Sequence, residues 1–400
     1  VNPAQRRTVA AARQNRYAGP VNETLHKALL PEGLRDLLPP DAAIEADVVA
    51  RLVATLASHG YERVKPPLAE FEDNLLSGAG AAMAEDTFRV MDPVSRRMIG
   101  LRADMTPQVA RIAATRLKKA ARPLRLCYAG QVLRVNGSQL RPERQVGQVG
   151  AELIGPSEVA ADAEVILLAA EALGGLGLQG LSVDLTLPTL VPAVCRAAKL
   201  DSAQHEAVRR ALDHKDAAAL RKAGGGAASL LAELLKAAGA VEKCLARLAA
   251  LDLPAAAAAE RARLGDVVAR MKRADPALAI TIDPVENRGF EYHTGVSFTF
   301  FARAVRGELG RGGRYRTGDG GEDATGFTLY TDTILQALPE PPAPRRIYVP
   351  LDAETAIARR LRAEGWITVA GLAAVRNPRD EAKRLNCGHL LDGGKVVALS

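Results

Sequence analysis

The chain has 400 residues, 48% of them apolar and 25% charged, which suits two or three domains with real cores and excludes wholesale disorder or a collagen-like repeat. No run approaches the roughly eighteen uncharged apolar residues of a membrane span. Arg6, Arg7, Arg13 and Arg16 are not followed by the apolar stretch of a secretory signal, so a cytoplasmic protein is expected. The net charge of +7, from 53 Lys and Arg against 46 Asp and Glu, is too modest on this length to select a class of partner.

Residues 1–29 show no sustained apolar period and read as a tail ending at Leu30-Pro31-Glu32-Gly33. Pro40-Asp41 opens an amphipathic helix in which Ile44, Val48, Val49, Leu52 and Leu56 recur at three- and four-residue spacing, stopped by Gly60. The extended segment 61–67 ends in Pro66-Pro67, so it belongs at a sheet edge or an interface. Segments 88–91 and 97–102, separated by Asp92-Pro93-Val94-Ser95, read as a hairpin. Thr106-Pro107 then supplies an N-cap and first helical residue for a helix to about residue 119.

Strands are expected at 124–135, 145–154 and 181–187, with a helix at 162–173 between the last two. Residues 192–279 are Ala- and Leu-rich with helical period and read as a helical insertion. Strands return at 279–282 and 296–301, followed by a Gly-rich loop over 307–321 and an apolar segment over 325–338. Pro339, Pro341, Pro342 and Pro344 form a stiff linker over 339–344, and 345–400 reads as a small α/β piece with strands at 347–350 and 395–399 around a helix at 353–364. Strands joined by hairpins with helices interspersed give an α+β class with a mostly antiparallel sheet flanked by helices.

Several motifs carry less than they spell. Gly175-Leu176-Gly177-Leu178-Gln179-Gly180 has dinucleotide-fingerprint spacing, but it follows a helix and precedes a strand, the reverse of the order that aims amides at a pyrophosphate. It reads as a helix end and turn. Cys127, Cys195, Cys244 and Cys387 are far apart and read as buried free thiols, and the six histidines lack metal-ligand spacing. No P-loop occurs, so neither metal nor cofactor is expected.

The informative stretch is Arg144-Gln-Val-Gly-Gln148-Val-Gly150-Ala-Glu152. As a strand it puts Arg144, Gln148, Gly150 and Glu152 on one face and Gly147, Val149, Ala151 and Leu153 on the other. A polar face of this kind is either solvated or, as glycines at 147 and 150 suggest, closely approached by another backbone or a ligand. Glu286-Asn-Arg288-Gly-Phe-Glu-Tyr292-His293-Thr-Gly295 groups an Arg, a Tyr and a His before an apolar strand, and Asp104 and Thr106 stand at a helix start, where capping is the plainer reading.

Taken in order over residues 30–338, these segments resemble the catalytic domain of the class II aminoacyl-tRNA synthetases, histidyl type. Leu30-Pro-Glu-Gly-Leu-Arg-Asp-Leu-Leu-Pro resembles its opening, Gly60-Tyr-Glu-Arg-Val-Lys-Pro-Pro67 motif 1, and Leu133-Arg134 through Glu152 motif 2. Asn287-Arg288-Gly-Phe-Glu-Tyr292-His293-Thr-Gly is similar to the histidine signature, and Gly312-Gly-Arg-Tyr315 to the loop after it. The resemblance implies a histidine-like pocket, with Asp104, Thr106, Gln148 and Glu152 on one side and Arg288, Tyr292, His293 and Tyr315 on the other. It assigns the ammonium and imidazole to Asp104 and Glu152 and the carboxylate to Arg288, while His293 stands where the family has a second tyrosine.

The implied ATP site is less intact. Motif 2 has Arg134 and Arg144, with Asn136 where a glutamate is usual; motif 3, Gly-Phe-x-x-Gly-x-Glu-Arg, reads Gly326-Phe-Thr-Leu-Tyr330-Thr-Asp332-Thr333. Losing such a cation typically costs about 10²- to 10³-fold in rate, so this site is read as vestigial. A broken motif 3 and a shortened C-terminal piece together resemble the synthetase-like regulatory subunits of ATP phosphoribosyltransferase. That implies no activity of its own, a homodimer through 61–67 inside a hetero-oligomer with a short-form catalytic subunit, a part in histidine biosynthesis, and histidine as a candidate ligand for feedback. Two readings stay open beside it: an active histidyl-tRNA synthetase or related ligase, and a tRNA-binding or amino-acid-sensing module.

Overall fold

The computed structural model describes residues 29–137, 142–286, 292–318, 321–339 and 342–399. The expected tail lies, but for its last residue, outside them. The chain divides into two compact units, 1–338 and 339–400.

In the first unit, the strands in chain order are β1 (Glu62–Arg63), β2 (Ala69–Phe71), β3 (Arg89–Met91), β4 (Met98–Leu101), β5 (Leu124–Leu133), β6 (Gln145–Ile154), β7 (Leu181–Thr186), β8 (Gly239–Ala240), β9 (Ala279–Asp283), β10 (Ser297–Ala302), β11 (Gly310–Arg316) and β12 (Asp323–Tyr330). Nine of them make one sheet in the order β1-β5-β6-β12-β11-β10-β7-β9-β8, and β2-β4-β3 make a second. Within the large sheet only β1–β5 and β7–β9 run parallel, so the mostly antiparallel α+β reading holds. The Pro-Pro segment behaves as expected: β1 is an edge strand and ends before Pro66.

The first helix, Asp41–Ser58, buries Val48, Leu52 and Leu56 from its apolar stripe. With helix Val159–Gly175 and the helices of the Ala-rich stretch it covers one sheet face, where Val149, Ala151 and Leu153 of β6 share a core with Leu168 and Leu264. That stretch also adds β8 to the sheet edge, so its helices share a core with the strands instead of packing only among themselves. The opposite face carries a smaller core of Met105, Val109, Tyr128, Val146, Tyr315 and Tyr330.

Three expectations change. The Gly-rich segment 307–321 is not a loop throughout; it contains the central strand β11, paired on both sides, and its glycines fit the close spacing that neighbouring strands impose. The helix after Thr106 is Thr106–Thr115, and its N-cap residue is Met105. Strand β6 (Gln145–Ile154) is buried on both faces from Val146 onward, so the polar face is not solvated. The 175–180 glycines do form a helix end and turn, with Gly177 and Gly180 at positive φ, and all four cysteines are buried and free. Among the described residues no helix is long and apolar enough to cross a membrane.

The second unit holds a four-stranded sheet in the order β14-β13-β15-β16, where β13 is Arg346–Val349, β14 Ile367–Ala370, β15 His389–Asp392 and β16 Lys395–Ala398. Helices Thr355–Ala363 and Pro378–Arg384 cover it. The short apolar runs of β14 and β15 give no distinct signal in the sequence.

One polar tie fixes β11 to the layer of helices. Asp162 on helix Val159–Gly175 accepts from Arg314 Nε at 2.9 Å and from Arg263 Nη2 at 2.7 Å. The Asp162 side chain is 2% exposed and that of Arg314 5%. Removing one partner of a buried ion pair strands the other, at a cost of about 3–5 kcal/mol. Asp162→Ala is expected to lower unfolding stability by that order in urea titrations, since it removes the carboxylate partner of the buried Arg314 and of Arg263 and leaves them only backbone carbonyls.

Candidate functional site

The site lies on the sheet face away from the helical layer, and β6 supplies its floor. Gln148, 1% exposed, accepts from Met105 N at 3.1 Å and donates from Nε2 to Asp104 Oδ2 at 3.1 Å. Asp104 Oδ1 in turn accepts from Thr106 N at 2.8 Å. The start of helix Thr106–Thr115 is thus held against β6 by an amide and a carboxylate. The Thr106 hydroxyl does not cap the helix; it reaches Tyr128 OH at 3.0 Å.

Two pleats along β6, Glu152 is 1% exposed and accepts from Tyr315 OH at 2.9 Å and from Tyr128 OH at 3.3 Å. Tyr128 OH also meets Thr328 Oγ1 at 2.8 Å, so with Thr106 four hydroxyls and a carboxyl form one network. Burial above all, opposed by these hydroxyl contacts, pushes the Glu152 pKa up to about 8, so the group is mostly protonated at neutral pH. Burial likewise raises the phenols of Tyr128, Tyr292 and Tyr315, which stay neutral donors.

Tyr292 packs edge-on against Tyr315, with ring centres 5.8 Å apart, and against His293 at 4.8 Å. Desolvation, with the nearby Arg311 cation, holds the His293 imidazole well below its ordinary range. Arg311 of β11 donates from Nε to Tyr330 OH at 3.1 Å. The small pocket bounded by Asp104, Thr106, Glu152, Arg311 and Tyr330 measures about 20 Å³, room for about one water molecule. On its other side His293 borders a cleft of about 610 Å³ beside helices Leu190–Ala197 and Ser202–Asp213.

Seven of the eight histidine-pocket residues expected from the sequence, Asp104, Thr106, Gln148, Glu152, Tyr292, His293 and Tyr315, therefore meet around one small cavity or its immediate shell. Arg288 lies outside the described residues. The glycines at 147 and 150 do mark close approaches, but by the protein's own side chains: a Cβ would fall 2.1 Å from Thr331 Oγ1 and 2.3 Å from Tyr128 Cζ, respectively.

Sequence reasoning missed Tyr128, Thr328 and Arg311. Tyr128 pairs directly with Gly150 across β5 and β6, a large ring opposite an empty position. Arg311 was hidden in the supposed loop; read as a strand, that segment places Arg311, Gly313 and Tyr315 on one face and Arg314 on the other.

The residues that the resemblance assigns to a vestigial ATP site have the following places in the fold. Arg144 donates to the carbonyls of Arg134 and Glu32 and lies over the Phe88 ring. Arg134 donates to Ala103 O and stands 3.9 Å from Asp104, while Asn136 is exposed. Tyr330 is wholly buried. Asp332 accepts from Gly147 N at 3.0 Å, its carboxyl raised chiefly by burial, and Thr333 is buried in helix Thr331–Ala337. No cluster of metal-ligating side chains occurs among the described residues.

A floor strand carrying an acid and an amide, a helix start beside it and a Gly-rich strand opposite make this a class II aminoacyl-tRNA synthetase-like protein of the histidyl type. The histidyl-tRNA synthetase family model matches residues 33–334. Histidyl-tRNA synthetase from Nostoc superposes with a TM-score of 0.76 at 16% identity, covering 93% of this chain and 91% of that one. An ATP phosphoribosyltransferase regulatory subunit/histidyl-tRNA synthetase from Bacillus halodurans gives 0.76 at 24% identity, over 89% and 96%.

Among curated proteins, the ATP phosphoribosyltransferase regulatory subunits of Rhodospirillum centenum and Paramagnetospirillum magneticum are 60% and 58% identical, over 92% and 94% of this chain and 96% and 99% of theirs. The chain belongs to the family of ATP phosphoribosyltransferase regulatory subunits, and its part in histidine biosynthesis is regulatory and not catalytic.

Because the folded Glu152 pKa lies above the usual carboxyl value, the folded state binds the extra proton. The stability it contributes is present in full below about pH 4.5 and is lost as pH rises through about 8. Glu152→Gln keeps a neutral group at this position. The variant should therefore gain on the wild type between pH 5 and pH 9 in paired urea titrations.

Proposed function

We propose that this chain activates a short-form catalytic subunit of ATP phosphoribosyltransferase and carries histidine feedback to it, with the amino acid bound over Asp104, Gln148 and Glu152. The partner is a catalytic ATP phosphoribosyltransferase subunit, as the names of the relatives state for those proteins. The observation that carries the reading is an imbalance within one cleft. The amino-acid side holds a connected set of an acid, an amide and hydroxyls. The nucleotide side has a buried tyrosine and a buried threonine where close approach and a phosphate-binding cation would be needed.

Adenylation places growing negative charge on phosphate oxygens, and its catalysis is mostly charge stabilisation. With Arg144 spent on backbone carbonyls and Thr333 in place of an arginine, the chain has little to offer that charge. A zwitterionic amino acid, by contrast, suits a pocket lined by both a carboxylate, Asp104, and a guanidinium, Arg311. Feedback then requires that histidine bind with different affinity in the active and inhibited states of the complex. The edge strand β1 and the segment through Pro67 are the surface on which we place a homodimer within the larger assembly.

Mixing the purified chain with a short-form catalytic subunit should give a stable complex that is more active than the catalytic subunit alone and is inhibited by histidine. Asp104→Asn should still assemble but need about 10- to 100-fold more histidine, the worth of one charge-assisted hydrogen bond. A robust histidine-dependent exchange of pyrophosphate into ATP by the isolated chain would overturn the reading, and so would a complex indifferent to histidine.

A further inference from the structure

We propose that strand β14 of the second unit is an interface between two copies of this chain. It pairs antiparallel with β14 of the second copy about a two-fold axis at Val369, joining two four-stranded sheets into one.

An open sheet edge is a row of unpaired N–H and C=O groups, and chains commonly blunt it with charge, proline or shortness. The three sheets of the described residues present six edge strands. Five of them are blunted. β1 carries Glu62 and Arg63 ahead of Pro66-Pro67, β2 carries Glu70, β3 Arg89 and β16 Lys395, while β8 is two residues long. β14, Ile367-Thr368-Val369-Ala370, is the exception. It lies in a run, 365–375, that has neither a charge nor a proline. Ile367 is 45% exposed and Leu372, just beyond the strand, 93%. A chain that guards its other edges leaves this one for something to cover.

Backbone direction sets the register. Ile367 N donates to Arg345 O and Gly371 N to Val349 O, so residues 367, 369 and 371 face β13. The N–H and C=O groups of Thr368 and Ala370 therefore point away from the sheet. Two such edges satisfy each other when Thr368 of one copy lies opposite Ala370 of the other, each pair exchanging both of its bonds. Val369 then faces its own counterpart on the axis, and the half-exposed Ile367 faces Gly371 of the second copy, where no side chain competes for the space.

Charge favours a second copy as the occupant. The uncharged run is closed by Glu364 at its start and Arg376 at its end, both exposed. Antiparallel pairing brings the start of one run toward the end of the other, hence acid toward base, whereas a parallel arrangement would set like charges together. Arg362 is exposed and hydrogen-bonded to Thr368 Oγ1 at 2.9 Å. Its repulsion of the other copy's Arg362 is weakened by salt, because the screening length is about 8 Å at physiological ionic strength.

Register-specific cross-linking of the full chain tests the proposal. In a non-hydrogen-bonded antiparallel pair the Cα atoms stand about 4.5 Å apart, within disulfide reach. The two Ile367 positions would stand about 13 Å apart, four residues along the strand and beyond that reach. Under mild oxidation Val369→Cys should form a covalent dimer in most of the protein and Ile367→Cys little or none; the four native cysteines are buried. Sedimentation equilibrium gives a second readout without oxidation. Ala370→Pro removes an outward N–H and keeps the bonds to β13, so it should halve the wild-type mass. Val396→Pro, which removes an outward N–H from the opposite edge β16, should not. Equal cross-linking of the two cysteine variants, a Val369→Cys chain that stays a free thiol, or a mass indifferent to Ala370→Pro overturns the proposal and gives the edge to another occupant.

Discussion

The carboxyl of Glu152 sits in the middle of a nine-stranded sheet, wholly out of water, and the rest of the site is built around making that tolerable. A buried charge without partners costs several kcal/mol, and a protein avoids the cost by supplying hydrogen bonds or by keeping the group neutral. Both happen here. Tyr315 and Tyr128 donate to its two oxygens, and burial holds the group mostly protonated near neutral pH. The neighbouring strand must also leave room: at Gly326, which pairs with Glu152, a Cβ would fall 1.8 Å from Oε2. The positions of Tyr128, Tyr315 and Gly326 are thus fixed by one acid, and with them the shape of the pocket.

The residues that the resemblance assigns to an ATP site make contacts of their own within the fold. Arg144 holds the segment at residues 32–33 against the strand junction, Arg134 caps a carbonyl at residue 103, and Asp332 ties its helix to β6. Restoring an arginine at position 333 alone would therefore not rebuild the site, because Tyr330 occupies space that a nucleotide would need and the motif 2 cations already have partners.

Elements whose signal is local were legible in the sequence. Helix Asp41–Ser58, strand β6, the β3–β4 hairpin and the proline-bounded edge strand each follow from a periodicity or a breaker within a few residues. The pocket residues were legible only through resemblance, because Asp104, Gln148 and Tyr315 lie far apart in the chain and meet only through sheet register. What stayed hidden was decided by neighbours. β11 reads as a loop because glycine normally punctuates, yet its glycines are there because adjacent strands take the space. Arg311 and Tyr128 went unnoticed for the same reason: each matters through what lies across from it.

A regulatory subunit acts through contact, so its pocket and its surface must share bonds that cannot all persist when the pocket fills. Such bonds converge on Glu45 of helix Asp41–Ser58, which accepts from Thr331 on the helix behind Tyr330 and from Gln131 on β5. Gln131 pairs with Gly147, and the amide of Gly147 holds Asp332. The remains of motif 3 thus join the pocket wall, two strands of the sheet floor and a helix with one face exposed. Packed interiors yield by switching between discrete arrangements and not by gradual deformation. In this chain the segment that resembles motif 3 is bonded through Thr331 to helix Asp41–Ser58 and through Asp332 to β6.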